Sequence, residues 1–417
     1  MKPGRSTTVL VVLALTNLVS YAARNGLFAV YPTLKAKFDI DDSQIGLLTT
    51  VFMLPHAAAT LPFGWAGDRF DRRRVIVVGI AIASLAGGLG AFAVDWYSLA
   101  ASRALVGLGT AAVVPVANSI LGQIFDGPHK ASRISIFNLG LFLGGVVGFF
   151  TGSIFGFPAV VLILAVPGLA LAATLGALPV PERPIREHGR LRDFMVQLIA
   201  DARALLPIRT LRWLLLSATA MAFAAGGFTA WLNEFLIRPI GDGGKGMAPE
   251  AATRLLVLAL CGGLAGILVG GRVSDRLGAC YASGRLWTIV IGMSCTAPCA
   301  ALAIILPAGP ALVAIGIATM FFISWYHAPI AASVDDLAPP SRSVAAQGLV
   351  IFTMHMIGTA PSSYVVGVIS QHSSLYDAMW VPTAGLVVAA ACMATATTSF
   401  AADRARARSG GGAGASL

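Results

Sequence analysis

Charge is scarce in this chain. Only 12% of its 417 residues are charged, against about 25% in a soluble domain. Hydrophobic residues make up 57%, and mean hydropathy is +0.80. That shortage excludes a soluble globular domain. Acid is scarcer than base, with 19 Asp and Glu against 29 Lys and Arg. The five cysteines (Cys261, Cys280, Cys295, Cys299, Cys392) lie mostly in apolar stretches, and no pair has zinc spacing in a polar context. They read as small packing residues, with no metal site. There is no His-Glu-x-x-His, no Gly-x-Ser-x-Gly and no Gly-x-x-x-x-Gly-Lys-Ser/Thr. A metal hydrolase, a serine hydrolase and a nucleotide-driven machine are thereby disfavoured, and no cofactor is expected. No cleavable signal peptide is evident either, because the first apolar segment is long enough to span a bilayer.

Long apolar runs are what the chain does have. Crossing a bilayer takes about 20 apolar residues per helix. Twelve segments qualify, at 8–31, 43–63, 75–94, 98–121, 134–156, 159–178, 210–236, 250–271, 285–306, 311–334, 346–369 and 377–400. Barrel-type alternation is absent, and the runs are too long for barrel strands. The expected fold class is an all-α polytopic membrane protein with 12 transmembrane helices. The 46 glycines suit close helix packing. Gly140, Gly144, Gly148 and Gly152 fall on one face of segment 5.

The net charge of +10 is a topology signal rather than a nucleic-acid one. If the N-terminus is cytoplasmic, alternate loops put 22 Lys and Arg on that side and five on the other (Lys35, Lys37, Arg238, Lys245, Arg254). This positive-inside bias predicts cytoplasmic termini in a bacterial-type inner membrane. Arg24 and Arg103 fall inside segments.

One polar stretch recurs. Gly64-Trp-Ala-Gly67-Asp68-Arg69-Phe70-Asp71-Arg72-Arg73-Arg74 separates segments 2 and 3, and Gly270-Gly-Arg272-Val-Ser-Asp275-Arg276 separates segments 8 and 9. Asp68 and Asp275 are 207 residues apart, and Arg133 and Arg342 are 209 apart. Two loop pairs with nearly one offset imply an internal duplication. The expected organisation is a six-helix bundle over 1–178, a linker over 179–209, a second bundle over 210–400 and a disordered tail over 401–417. Within the linker, Leu191, Phe194, Met195, Leu198, Ala202 and Leu205 recur at helical spacing, which predicts a short amphipathic helix. Ser43 is the expected N-cap of segment 2.

The first polar stretch resembles the signature loop of the major facilitator superfamily, Gly-x-x-x-Asp-Arg-x-(Gly)-Arg-(Arg/Lys). Gly64, Asp68, Arg69, Arg72 and Arg73 match it, and Asp71 replaces the usual Gly. Within the superfamily the chain is similar to the spinster-like lipid carriers. The carrying stretches are Ser43-Gln-Ile-Gly46-Leu-Leu-x-x-Val-Phe52, Gly67-Asp-Arg-Phe70, Arg103-Ala-Leu-Val-Gly107-Leu-Gly109, Gly262-Gly-x-x-Gly266-x-x-x-Gly270-Gly-Arg-x-x-Asp275-Arg276 and Phe352-x-x-His355-x-x-Gly358. The resemblance implies two six-helix bundles related by pseudo-two-fold symmetry, and rocker-switch alternating access. It implies a substrate of the lysophospholipid or sphingoid-phosphate kind, and a monomer in the bilayer with no nucleic-acid partner. The alternative is proton-linked efflux of small hydrophobic compounds. The loop residues Gly64, Asp68, Arg69, Arg72, Asp275 and Arg276 are expected to form a conformational latch, with Gly64 letting two helices approach.

Three positions depart from the family pattern. Acidic residues are usual where this chain has Ala23, Thr110 and Thr359. Weak dependence on a proton gradient is therefore expected. The remaining coupling candidates are Glu234 and His355, a histidine being able to titrate near neutrality. The plainer expectation for Glu234 is a surface i,i+4 pair with Arg238, and for His56 and His327 a packing role. A buried cation needs an anion or hydrogen-bond acceptors. A guanidinium binds phosphate through two parallel bonds. Arg24 and Arg103 are therefore the candidate head-group ligands, with Asn25, Tyr21, Trp325, Tyr326 and Tyr364 as further substrate-binding candidates.

Overall fold

The computed structural model describes residues 3–125, 130–180, 190–339 and 342–410. Among them there is no strand, and twelve helical spans are long and apolar enough to cross a membrane. Spans 1 to 6 are Arg5–Phe38, Asp42–Gly67, Arg72–Phe92, Trp96–Ile124, Ile136–Phe155 and Ala159–Ala177. Spans 7 to 12 are Arg209–Ile237, Pro249–Cys280, Gly284–Ile305, Pro310–Leu337, Ala345–His372 and Leu375–Ala407. The linker helix, Leu191–Leu205, stands between the two sets. The chain divides into two compact units, Met1–Phe194 and Met195–Leu417, so the divide falls within the linker helix.

Local sequence explains where several spans begin. Span 2 opens on a capping box. Asp41 accepts from the Gln44 amide at 2.8 Å, and the Gln44 side chain accepts from the Asp41 amide at 3.1 Å. Ser43 is not the cap that was expected. The extended backbone a cap needs occurs at Asp41, and Ser43 donates its hydroxyl to the Asp41 carboxylate at 2.6 Å. Span 4 begins the same way with Asp95 and Ser98. There the Ser98 side-chain and backbone hydrogen bonds hold the Asp95 carboxyl below its ordinary range. Spans 8 and 10 start at Pro249 and Pro310 instead, where the missing N–H costs nothing.

Glycine-lined contacts bring helices together in both units. In the first, span 5 lies against span 1. A Cβ at Gly148 would stand 2.3 Å from the Ala22 carbonyl oxygen. In the second, Gly262, Gly266 and Gly270 of span 8 face span 10. A Cβ at Gly266 would be 2.0 Å from the Phe321 carbonyl oxygen. Neither approach is open to a larger residue. Lipid tails give apolar helices little reason to associate, so this backbone-to-backbone packing is what holds them together.

The tail expected to be disordered from 401 onward is helical as far as the structure describes it. The last helix runs Trp380–Gly410. Asp403 is buried and accepts from the Thr210 amide at 2.9 Å and the Thr210 hydroxyl at 2.7 Å. It thus satisfies the open first turn of span 7. Arg404 pairs with Asp336 at 3.3 Å. These two polar contacts hold the extension to its own unit. Residues 411–417 lie outside the described residues.

Candidate functional site

Span 1 is broken near its end. An α-helix, Pro3–Asn25, passes into a 3-10 turn, Gly26–Val30, and then into Tyr31–Phe38. The change of helix type exposes the last α-helical carbonyls, and Arg103 of span 4 takes them. Its Nη1 donates to the Ala23 carbonyl at 3.0 Å and its Nη2 to the Arg24 carbonyl at 3.2 Å. The guanidinium also lies 4.7 Å from the Phe52 ring centroid, and Arg103 is only 5% exposed. A cation at a helix C-terminus is favoured by the helix dipole. Of the two candidate head-group ligands, Arg103 is therefore engaged in clasping span 1.

Arg24 is different. Its side chain is half-buried, its Nε is buried without a hydrogen-bond partner, and it makes no ion pair among the described residues. Tyr21 stands one turn earlier on the same helix. The Asn25 amide nitrogen would be 3.0 Å from a Cβ at Gly145, so Asn25 packs against span 5. Two positive charges thus share one helix end, and among the described residues Arg103 is answered by carbonyls whereas the Arg24 side chain is not.

A small cavity lies within the first unit, lined by Thr16, Ser20, Ser84, Arg103, Thr110 and apolar neighbours. Its volume is about 30 Å³, whereas small-molecule pockets usually hold about 300–1,000 Å³. It is too small for a lipid head group. His56 beside it is bonded through Nδ1 to the Thr110 hydroxyl at 3.1 Å and the Gly107 carbonyl at 3.3 Å. That environment fits a packing histidine. The side chain of His327 lies outside the described residues.

In the second unit the Glu234–Arg238 pair forms, but it is not on the surface as expected. Glu234 is 4% exposed. Arg238 donates to Glu234 Oε1 from Nη2 at 2.9 Å and from Nε at 3.2 Å, and Nη1 reaches the Ser370 hydroxyl of span 11 at 3.3 Å. Glu234 Oε2 is buried without a hydrogen-bond partner among the described residues. The i,i+4 spacing identifies the pair, but the packing of span 7 on span 11 decides its burial. His355 lies on a π-helical turn, Met354–Thr359. Such turns are rare and recur at functional sites.

The aromatic candidates separate. Trp325 is 8% exposed, and its ring and backbone fill the space left by Gly270 of span 8 and Gly292 of span 9. It is a packing residue rather than a cavity lining, because the glycines opposite leave a volume that only a large side chain fills. Tyr326 is partly buried and packs on the core of the second unit. Tyr364 on span 11 is 40% exposed.

The signature loop is a three-way junction inside the first unit. Asp71, the residue that breaks the family pattern, is the N-cap of span 3, accepting from the Arg73 amide at 3.0 Å. Arg72 is buried and donates to the Ser119 carbonyl at 3.0 Å, the Ser119 hydroxyl at 3.1 Å and the Gln123 side chain. Arg73 reaches the Leu178 carbonyl beyond the end of span 6 at 3.3 Å. Arg69 lies 5.6 Å from the Trp65 ring centroid. Gly64 does not serve a close approach, since a Cβ there would be 3.9 Å from Pro115, an ordinary contact. Gly67, at 3.1 Å from Val116, is the tighter position. The Asp68 side chain lies outside the described residues. In the second loop, Asp275 and Arg276 are exposed and form no ion pair among the described residues.

Other polar contacts escaped the sequence reading. Arg285 pairs with Asp336 at 2.6 Å, and Arg342 with Asp201 at 3.0 Å. The Lys245 ammonium donates to the Ile304 and Leu306 carbonyls at the end of span 9, and burial pushes its pKa down. One signal was available. Arg72 to Gln123 and Arg285 to Asp336 both span 51 residues.

A model of the Major Facilitator Superfamily matches residues 13–363. The chain belongs to that superfamily, in its spinster-like branch, and is a transporter rather than an enzyme. It is 29% identical over 393 residues to protein spinster homolog 3 of Danio rerio, covering 89% of this chain and 78% of that one. Human protein spinster homolog 1 is 28% identical, covering 89% and 74%. The sphingosine-1-phosphate transporter SPNS2 of Danio rerio is 27% identical, covering 88% and 77%. Among solved structures, a bacterial homolog of the human lysosomal transporter spinster superposes with a TM-score of 0.80 at 21% identity, covering 97% of this chain and 99% of that one. The fold is therefore that of the major facilitators.

Proposed function

We propose that this protein moves an amphiphilic, phosphate-bearing lipid across the membrane, with Arg24 as the head-group ligand. The observation that carries the reading is a buried guanidinium nitrogen with no hydrogen-bond partner among the described residues, beside a second arginine already committed to backbone carbonyls. A phosphate monoester or diester would supply the missing acceptors through charge-assisted bonds. A relative named for transport of sphingosine-1-phosphate supports the same substrate class. Arg103 serves as the group that positions the end of span 1, and Tyr21, Asn25 and Tyr364 as neighbours of the lipid.

Transport proceeds by alternating access of bundles 1–178 and 210–400, joined by the 179–209 linker. The protein works as a monomer with cytoplasmic termini in a bacterial-type inner membrane. Asp68, Arg69, Asp275 and Arg276 carry the latch, whereas Arg72 ties span 3 to span 4 within the first unit. A second reading, proton-linked efflux of small hydrophobic compounds, draws on Glu234, whose second carboxylate oxygen is buried and unpartnered. His355, on its π-helical turn, is the other coupling candidate.

Uptake of a fluorescent lysophosphatidate into proteoliposomes tests the first reading. Wild-type protein takes up the lipid, with weak dependence on an imposed proton gradient, and Arg24→Ala loses at least tenfold of the rate at unchanged melting temperature. Unchanged uptake by Arg24→Ala would sink the assignment. Gradient-driven efflux of a cationic dye, abolished by Glu234→Gln or His355→Ala, would favour the second reading instead.

A further inference from the structure

One face of the linker helix is covered and another is not. Leu205 is buried in the core of the second unit, and Leu198 and Phe194 are half-buried on the same side. On the other side Arg192, Val196, Ile199 and Arg203 follow at intervals of four, three and four. That spacing places them in one strip along the helix. All four are exposed, Val196 at 58% and Ile199 at 49%. Leu206 continues the apolar surface just beyond the helix. The strip is therefore basic at both ends and apolar in the middle.

The acidic residues of this helix are occupied elsewhere. Asp201 pairs with Arg342 at 3.0 Å and accepts from Gln197 at 3.2 Å. Asp193 accepts from the Arg190 amide at 2.9 Å, at the helix start. Arg192 and Arg203 form no ion pair among the described residues. Only Leu206, Pro207 and Ile208 separate the helix from span 7. Three residues reach about 10 Å at most, so the C-terminal end of the helix stays close to the end of span 7. The Arg342–Asp201 bridge further holds it to the unit that contains span 7.

We infer that the strip Arg192–Val196–Ile199–Arg203 docks on the bilayer surface, binding anionic phosphodiester head groups. The two guanidinium groups meet lipid phosphates, and the two β-branched side chains enter the boundary with the acyl chains. An amphipathic helix of this composition binds a membrane through apolar burial plus attraction to anionic lipid. Because Asp201 ties the same helix to Arg342, the docked lipid is a contact between the leaflet and the second unit. The inference rests on spans 6 and 7 crossing the membrane and on the strip facing the leaflet, and is independent of what is transported.

Hydrogen exchange on the full-length protein in nanodiscs tests it. Nanodiscs of phosphatidylcholine alone are compared with nanodiscs that also contain phosphatidylglycerol. Peptides covering 191–206 should exchange several-fold more slowly with phosphatidylglycerol present, while peptides from span 2 stay unchanged as an internal reference. Arg192→Gln/Arg203→Gln should lose that lipid dependence. Val196→Asp/Ile199→Asp should exchange rapidly in both lipids. Equal exchange of wild-type 191–206 in the two lipids would overturn the proposal. So would lipid-dependent protection that survives in the double arginine variant, since the anionic contact would then lie elsewhere. Protection equal in detergent and in both nanodiscs would assign the strip to a protein contact and also reject the membrane.

Discussion

Helix Pro3–Asn25 closes with Tyr21-Ala-Ala-Arg24-Asn25, and helix Arg209–Ile237 with Glu234-Phe-Leu-Ile237 followed by Arg238. Tyr21 and Glu234 are 213 residues apart, as are Asn25 and Arg238. These are corresponding corners of the two units, and each brings one arginine into apolar surroundings. In the second unit the charge is answered at once, by Glu234 four residues earlier and by Ser370 across the helix contact. In the first, Tyr21 stands where the acid would be, and Arg24 makes no ion pair among the described residues. The contrast separates a cation held by the protein from one for which we propose a ligand. A closed pair has nothing to offer an anion, whereas an uncompensated guanidinium is tolerated only where something answers it.

A second comparison runs the same way. Arg72 and Arg285 are also 213 residues apart, as are their partners Gln123 and Asp336. The first unit ties its arginine with neutral groups, Ser119 and Gln123. The second uses a carboxylate, which Arg404 shares from the C-terminal helix. The charged version recruits the extension beyond residue 401, and the neutral version needs none.

Breaking the closed corner should give the largest change in stability. Arg238→Ala leaves Glu234 buried and unpaired, at a cost of about 3–5 kcal/mol, read as a large fall in melting temperature in detergent. Glu234→Gln/Arg238→Gln should recover most of it, and failure to do so would mean the pair is not the main contributor. Arg24→Ala should not lower the melting temperature, because among the described residues no hydrogen bond or ion pair depends on that side chain. A smaller difference is expected at the second comparison. Asp336→Asn weakens charge-assisted hydrogen bonds to two arginines and should cost about 1.5–3 kcal/mol, against about 1 kcal/mol for Gln123→Ala. Equal costs would show that the charge adds nothing to the junction. The smallest effect is expected for Gly64→Ala. The new methyl meets only an ordinary contact, and alanine gains up to about 1 kcal/mol in helix propensity. Melting and uptake of this variant should match wild type or better it.

Much of the fold was legible because the bilayer imposes a length and composition on every span, and each span satisfies its own backbone hydrogen bonds. Twelve segments, the internal repeat and the linker helix follow from patterns within a few dozen residues. The site was less legible. Arg24 and Arg103 look alike in sequence, as arginines in apolar runs. They are told apart by the 3-10 break after Asn25, which leaves two carbonyls that span 4 can reach. Trp325 looked like a cavity aromatic until Gly270 and Gly292 were found against it. The burial of Glu234 could not be read from its i,i+4 spacing, which occurs equally on exposed helices.

By itself, then, the sequence determined the membrane class, the number of spans, the two-fold repetition and the presence of a few costly charges. All of these are one-dimensional properties, set by transfer free energies that act residue by residue. Only the tertiary structure decided which charges are answered by the protein. Compensation depends on which carbonyl or carboxylate a distant helix brings within about 3 Å, and Arg103 finds its acceptors 80 and 79 residues away along the chain.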